Sequence, residues 1–140
     1  MLAAPRSRLE GWADATIAPG GALDYYNEVV GKRGGSKLAR DSARLFMVPG
    51  MGHRPGRNGA ENYDIDTFKI LTERKQSGKA PDQLVEARYQ GGAEVGKRLV
   101  CAYPRVAVYK GSGRAEDPAN FMQNAKRRTC LRETGEMIRR

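Results

Sequence analysis

The 140-residue chain has a single histidine, two cysteines and one tryptophan, and no run of about 18 apolar residues. Each scarcity excludes something. One histidine and no paired C-x-x-C leave too few ligands for an ordinary zinc site. Without a long apolar run, no stretch is fit to cross a membrane as a helix, and no membrane partner is expected. The two cysteines, Cys101 and Cys130, are separated by 28 residues. That spacing allows one disulfide or none, so the redox compartment stays open. The opening stretch MLAAPRSRLEGWADA lacks the apolar core of a secretory signal. Acidic residues are few, 16 against 25 Lys and Arg, which gives a net charge of +9. Such an excess can serve a polyanion partner. Here, however, the clear basic cluster is confined to Lys126, Arg127, Arg128, Arg132, Arg139 and Arg140. The tyrosines do not interleave with it as stacking platforms would. It reads as a solvated basic tail, and nucleic acid is not the expected partner.

What is present suits one domain. The chain is long enough for one core and too short for two. A hydrophobic fraction of 39% with 17 glycines describes a loop-rich globular chain near the polar end of normal. Leu23, Tyr26 and Val30 recur at helical spacing, which predicts a helix over 22–32 stopped by Gly31, Gly34 and Gly35. Residues 36–42 are polar and indeterminate. Leu45–Val48 is a continuous apolar run ending at Pro49, the pattern of a strand buried on both faces in a parallel sheet. Residues 49–60 form a Gly/Pro-rich loop. A second helix is expected from near Asp64 or Asp66 to Gly78, with Ile65, Phe68 and Leu71 on one face. DQLVEARYQ and RVAVYKG read as two further strands, and from Arg114 onward the chain turns polar and irregular. Buried strand and flanking helices indicate the α/β class. No second parallel strand is evident in the sequence.

His53 follows Val48 by five residues, through PGMG. In open α/β sheets, functional residues gather beyond the carboxyl ends of the strands. A histidine base there needs a carboxylate to fix its tautomer and a nucleophile to deprotonate. Asp14, in GWADATIAPGG before the first helix, is the candidate carboxylate. Spacing gives it two readings, a turn aspartate or the partner of His53. The order Asp then His, 39 residues apart, is that of the last two triad members of an α/β-hydrolase. Asp24, Asp41, Asp64 and Asp66 are alternatives that read better as helix caps and surface charge. No nucleophile is identified, because the chain has no Gly-x-Ser-x-Gly elbow. Ser36 in GGSKL and Ser112 in KGSGR are not set between a hydrophobic strand and a helix, and neither cysteine has a nucleophile signature.

GWADATIAPGGALDYYNEVV, RLFMVPGMGH, SGKAPDQLVEARY and GKRLVCAYPRVAVYKGSGRAEDPANF, in this order from Gly11 to Phe121, resemble the C-terminal part of the tannase and feruloyl esterase family. The resemblance implies an α/β fold, specifically a partial α/β-hydrolase core of C-terminal strands and helices over 1–121, followed by a basic, weakly ordered tail over 122–140. It implies a serine esterase acting on phenolic-acid esters, with Asp14 as triad aspartate and His53 as triad histidine. The family's serine, and the lid that carries its substrate pocket and a calcium site, match segments N-terminal to this region, so no cofactor is expected here. A phenolic ester would be the substrate once an N-terminal part completes the site. Alternatives are an inactive remnant, as a truncated or frame-damaged gene would leave, and a small basic polyanion-binding protein. The family is mostly exported, so the absent signal leaves localisation open, as is the oligomeric state.

Departures from the family pattern carry their own expectations. Arg54 stands where the family has a cysteine after the histidine, so that bridge cannot form. Arg74 stands where the family often has a tryptophan on a buried face. Gln123 replaces the cysteine that follows ANF, so Cys101 lacks that partner unless Cys130 substitutes for it. The segment before Gly11, APRSRLE, is too polar for the hydrophobic strand that the resemblance places there.

Overall fold

A computed structural model describes residues 6–40, 42–53, 62–90 and 92–124. It begins with a β-α-β unit: strand β1 (Arg6–Gly11), helix α1 (Pro19–Lys32), a single helical turn α2 (Ser36–Ala39) and strand β2 (Ala43–Val48). β1 and β2 pair in parallel, from Arg6 opposite Ala43 to Gly11 opposite Val48. The segment before Gly11 is therefore a strand, and β2 does have a parallel neighbour, contrary to both expectations. The pattern was hidden because Ser7 and Arg8 are exposed, while the buried Glu10 accepts the Arg8 guanidinium at 3.0 Å. Pairing with β2, rather than apolar burial along its whole length, organises this strand.

α1 starts at Pro19, whose missing N–H costs nothing in the first turn. It ends before Gly34 and Gly35, both at positive φ. Tyr26, with the partly buried Leu23 and Val30, packs on Leu45 and Met47 of β2. The alternate β2 residues, Phe46 and Val48, face a second cluster with Met51, Ile65, Leu84 and Val100. β2 is thus buried on both faces, as its unbroken apolar run requires.

The second cluster is closed by helix α3 (Thr67–Ser77) and an antiparallel sheet of β3 (Asn62–Asp64), β4 (Gln83–Gln90) and β5 (Ala93–Cys101). A bridge between Phe46 and Ala102 joins the end of β5 to β2. Asp66 caps α3 by accepting the Lys69 amide at 2.8 Å, and left-handed Gly78 ends it. The helix start and stop match the sequence, but its buried face does not. Ile65 is buried before the helix and Ile70 packs inward, whereas Phe68 and Leu71 are exposed. Arg74, buried one turn beyond Ile70, donates to the Ser7 hydroxyl at 2.8 Å, so α3 turns a polar anchor toward β1.

β6 (Val106–Tyr109) pairs with β7 (Phe121–Asn124) after a short 3-10 turn at Pro118–Asn120. The chain beyond Arg114 thus includes a 3-10 turn and a strand, the latter running to Asn124. Phe121 packs at a tilt against Tyr109 with ring centres 5.5 Å apart, and Gln123 bonds both Arg105 and the Asp82 carbonyl. The Gln123 contacts are made by polar groups, so hydrophobic patterning gave no sign of them. The basic cluster over 126–140 lies outside the described residues. Among the described residues, no helix is long and apolar enough to cross a membrane.

Candidate active site

Both parallel strands end at the same edge of their sheet, and both chemically suggestive residues follow those ends. β1 stops at Gly11 and Asp14 lies three residues on. β2 stops at Val48 and His53 lies five residues on. The two turns are bonded to each other: Trp12 N–H donates to Val48 O and Ala13 N–H to Met51 O, each at 3.0 Å. His53 Nδ1 then stands 3.0 Å from Asp14 Oδ2. Two residues 39 positions apart in sequence are closed into one hydrogen bond.

The carboxylate is well held. Asp14 Oδ1 accepts the amides of Thr16 at 2.7 Å and Ile17 at 2.9 Å, an Asx turn that leaves Oδ2 for the imidazole. The Ile17 amide does most to hold the Asp14 carboxyl below its ordinary range. Burial opposes it, and the His53 and Thr16 hydrogen bonds add to the lowering. Ionised at neutral pH, Asp14 is an acceptor only. Neutral His53 must then carry its proton on Nδ1, which leaves a basic lone pair on Nε2. The Asp14 side chain is only 4% exposed, against 37% for His53, so a fixed acid orients an accessible base. This arrangement can accept a proton from a nucleophile and return it to a leaving group.

The alternative carboxylates are placed otherwise. Asp66 caps α3, Asp24 lies within α1 and Asp64 ends β3. Asp41 and Arg54 lie outside the described residues. Asp14 is not the cap of α1, whose N-cap is Ala18. It is both a turn aspartate and the partner of His53. Ser36 opens α2, and Ser112 sits in the bend after β6. Cys101 is buried and has no disulfide partner among the described residues. Burial raises its pKa, and a hydrogen bond with Gln123 and the nearby Arg105 work against that rise. Cys130, its candidate partner, lies outside the described residues.

An open groove of about 410 Å³ runs along β1 to the pair, lined also by Ile17, Met51 and Gly52. A slightly larger one, about 450 Å³, lies between the start of α3 and β4. The chemistry singles out the first, because Asp66 in the second is committed to its cap. Among the described residues, no three His, Cys, Asp or Glu side chains could hold a metal ion. Sequence reasoning missed the Thr16 and Ile17 amides and Gly11, which fix the geometry. The Asp-x-Thr-Ile order after a strand was the available signal.

Comparison with known proteins identifies the family of the chain. The tannase and feruloyl esterase family model matches residues 8–124. An uncharacterized esterase of Xanthomonas campestris pv. campestris is 33% identical over 140 residues, covering 80% of this chain and 24% of its own length. Mono(2-hydroxyethyl) terephthalate hydrolase of Piscinibacter sakaiensis is 36% identical over 116 residues, covering 79% of this chain and 18% of its own. The crystal structure of an esterase from Aspergillus oryzae shares the fold with a TM-score of 0.76 at 22% identity, over 86% of this chain and 27% of that one. This chain spans about a quarter or less of the length of each relative. Matched across both strands, both turns and the later sheets, the chain belongs to the tannase and feruloyl esterase family.

Proposed function

We propose that this chain carries the Asp–His half of a serine carboxylesterase site that hydrolyses phenolic-acid esters. The observation that carries the reading is the 3.0 Å bond between Asp14 and His53, beyond the carboxyl ends of adjacent parallel strands. A serine from a segment N-terminal to the matched region attacks the ester carbonyl. His53 takes the serine proton through Nε2 and passes it to the leaving alcohol, while Asp14 orients the ring and stabilises the imidazolium. Water then releases the acid by the same route, and none of these steps calls for a cofactor.

Two further observations support a site completed by a longer chain. The hydroxyl that lines the same groove, Ser7, accepts Arg74 and lies four residues before Gly11, roughly 13 Å along the strand. Among the described residues, β2 is the one strand that pairs with β1. Parallel sheets are ordinarily larger and covered on both faces, so a two-stranded one fits the C-terminal part of an α/β-hydrolase core.

Grafting this chain in place of the matching segment of the terephthalate hydrolase relative tests the reading. The chimera is expected to hydrolyse p-nitrophenyl or gallate esters, and His53→Ala should lower kcat by at least about 10⁴-fold. A folded chimera with no activity above the His53→Ala level would favour the inactive remnant instead.

A further inference from the structure

We infer that Gly11 is a positioning residue: by leaving room for the Met51 carbonyl, it sets the separation of Asp14 and His53. The inference rests on the role proposed for that pair. β1 ends at Gly11 against the turn that follows β2. A Cβ at position 11 would overlap the Met51 carbonyl oxygen outright. It would stand 2.6 Å from the Met51 carbonyl carbon and 2.8 Å from the Gly52 carbonyl oxygen. All three are backbone atoms immediately before His53, so no change of rotamer relieves the overlap.

The same Met51 oxygen accepts the Ala13 amide at 3.0 Å, and the Asp14 amide donates to Gly11 O at 3.3 Å. One carbonyl thus touches the glycine that opens the acidic turn and the amide beside Asp14. A side chain at 11 pushes the Met51–Gly52 turn outward and carries His53 with it. Asp14 stays behind, held by the Thr16 and Ile17 amides. At 3.0 Å the Nδ1–Oδ2 bond has little slack, since a displacement of about 0.5–1 Å takes it out of hydrogen-bond range. The requirement is for space, because Gly11 is not among the glycines at positive φ. Gly21 provides the contrast, with nothing within 4 Å of a Cβ built there.

His53 is the only histidine, so its ring nitrogens give unambiguous ¹⁵N signals in the intact chain. The wild type and Gly21→Ala are expected to show the Nδ1–H tautomer with a slowly exchanging Nδ1 proton. Gly11→Ala is expected to lose that proton signal and shift toward Nε2–H, the outcome also expected of Asp14→Asn, while still melting cooperatively. A cooperatively folded Gly11→Ala with wild-type ring signals overturns the inference. Absence of the Nδ1–H form in the wild type overturns the pair itself, and the inference with it. Where Gly11→Ala does not fold, a backbone ester at residue 13 removes the N–H to Met51 O without added bulk. Loss of the ring signature in that folded ester upholds the inference, and an unchanged signature overturns it.

Discussion

Asp14 divides its two oxygens between different tasks, and the division makes it useful. Oδ1 is tied to its own turn and Oδ2 to His53, so the carboxylate cannot swing away without losing three hydrogen bonds. Its pKa is lower in the folded chain than the ordinary 3.8, with the Ile17 amide as the largest cause. A depressed carboxylate adds stability above its unfolded value, and that share is lost as pH falls through the folded value. The stability gap between wild type and Asp14→Asn should therefore be full at neutral pH and close as the pH drops below about 3.8. Urea denaturation across that range measures it, and a gap that widened toward acid would contradict the hydrogen-bond pattern. Asp14 thus closes its own turn and hydrogen-bonds His53 as well. Spacing alone offered these two roles as alternatives because an Asx turn uses one oxygen and is silent about the other.

Elements differ in how plainly the sequence announces them. β2 was legible because Leu45–Val48 must be apolar on both faces. β1 was not, because pairing with β2 replaces apolar burial over Ser7 and Arg8. The ends of α3 were legible from Asp66 and Gly78, whose capping chemistry is local. Its buried face was not, since Arg74 reaching Ser7 is a contact across 67 residues. Removing the cap should act locally as well: Asp66→Ala is expected to cost about 1 kcal/mol, read from the urea midpoint. Because Asp66 lies away from the Asp14–His53 pair, the ring signals of His53 should stay unchanged.

At the scale of the whole molecule, the described chain is a mixed α/β unit about a quarter as long as its relatives, or less. Its last hairpin is tied down by polar contacts around Gln123, which also hydrogen-bonds Cys101. Residue 123 is where the family resemblance placed a cysteine. Gln123→Cys is therefore expected to oxidise onto Cys101 and to stabilise the chain by about 2–4 kcal/mol, lost on adding reductant. Equal denaturation midpoints with and without reductant would show that the two side chains do not meet closely enough.

The candidate pair was visible in the sequence as two residues on Gly/Pro loops. Its alignment was not, because it depends on backbone approaches at Gly11 and Met51 that no side-chain pattern encodes. The most direct test of the account is kcat of the chimeric esterase with Asp14→Asn. A fall of about 10⁴-fold with little change in KM is expected, since the wrong tautomer of His53 removes the base and leaves binding intact. A folded Asp14→Asn chimera with kcat within about tenfold of the unsubstituted one would contradict it.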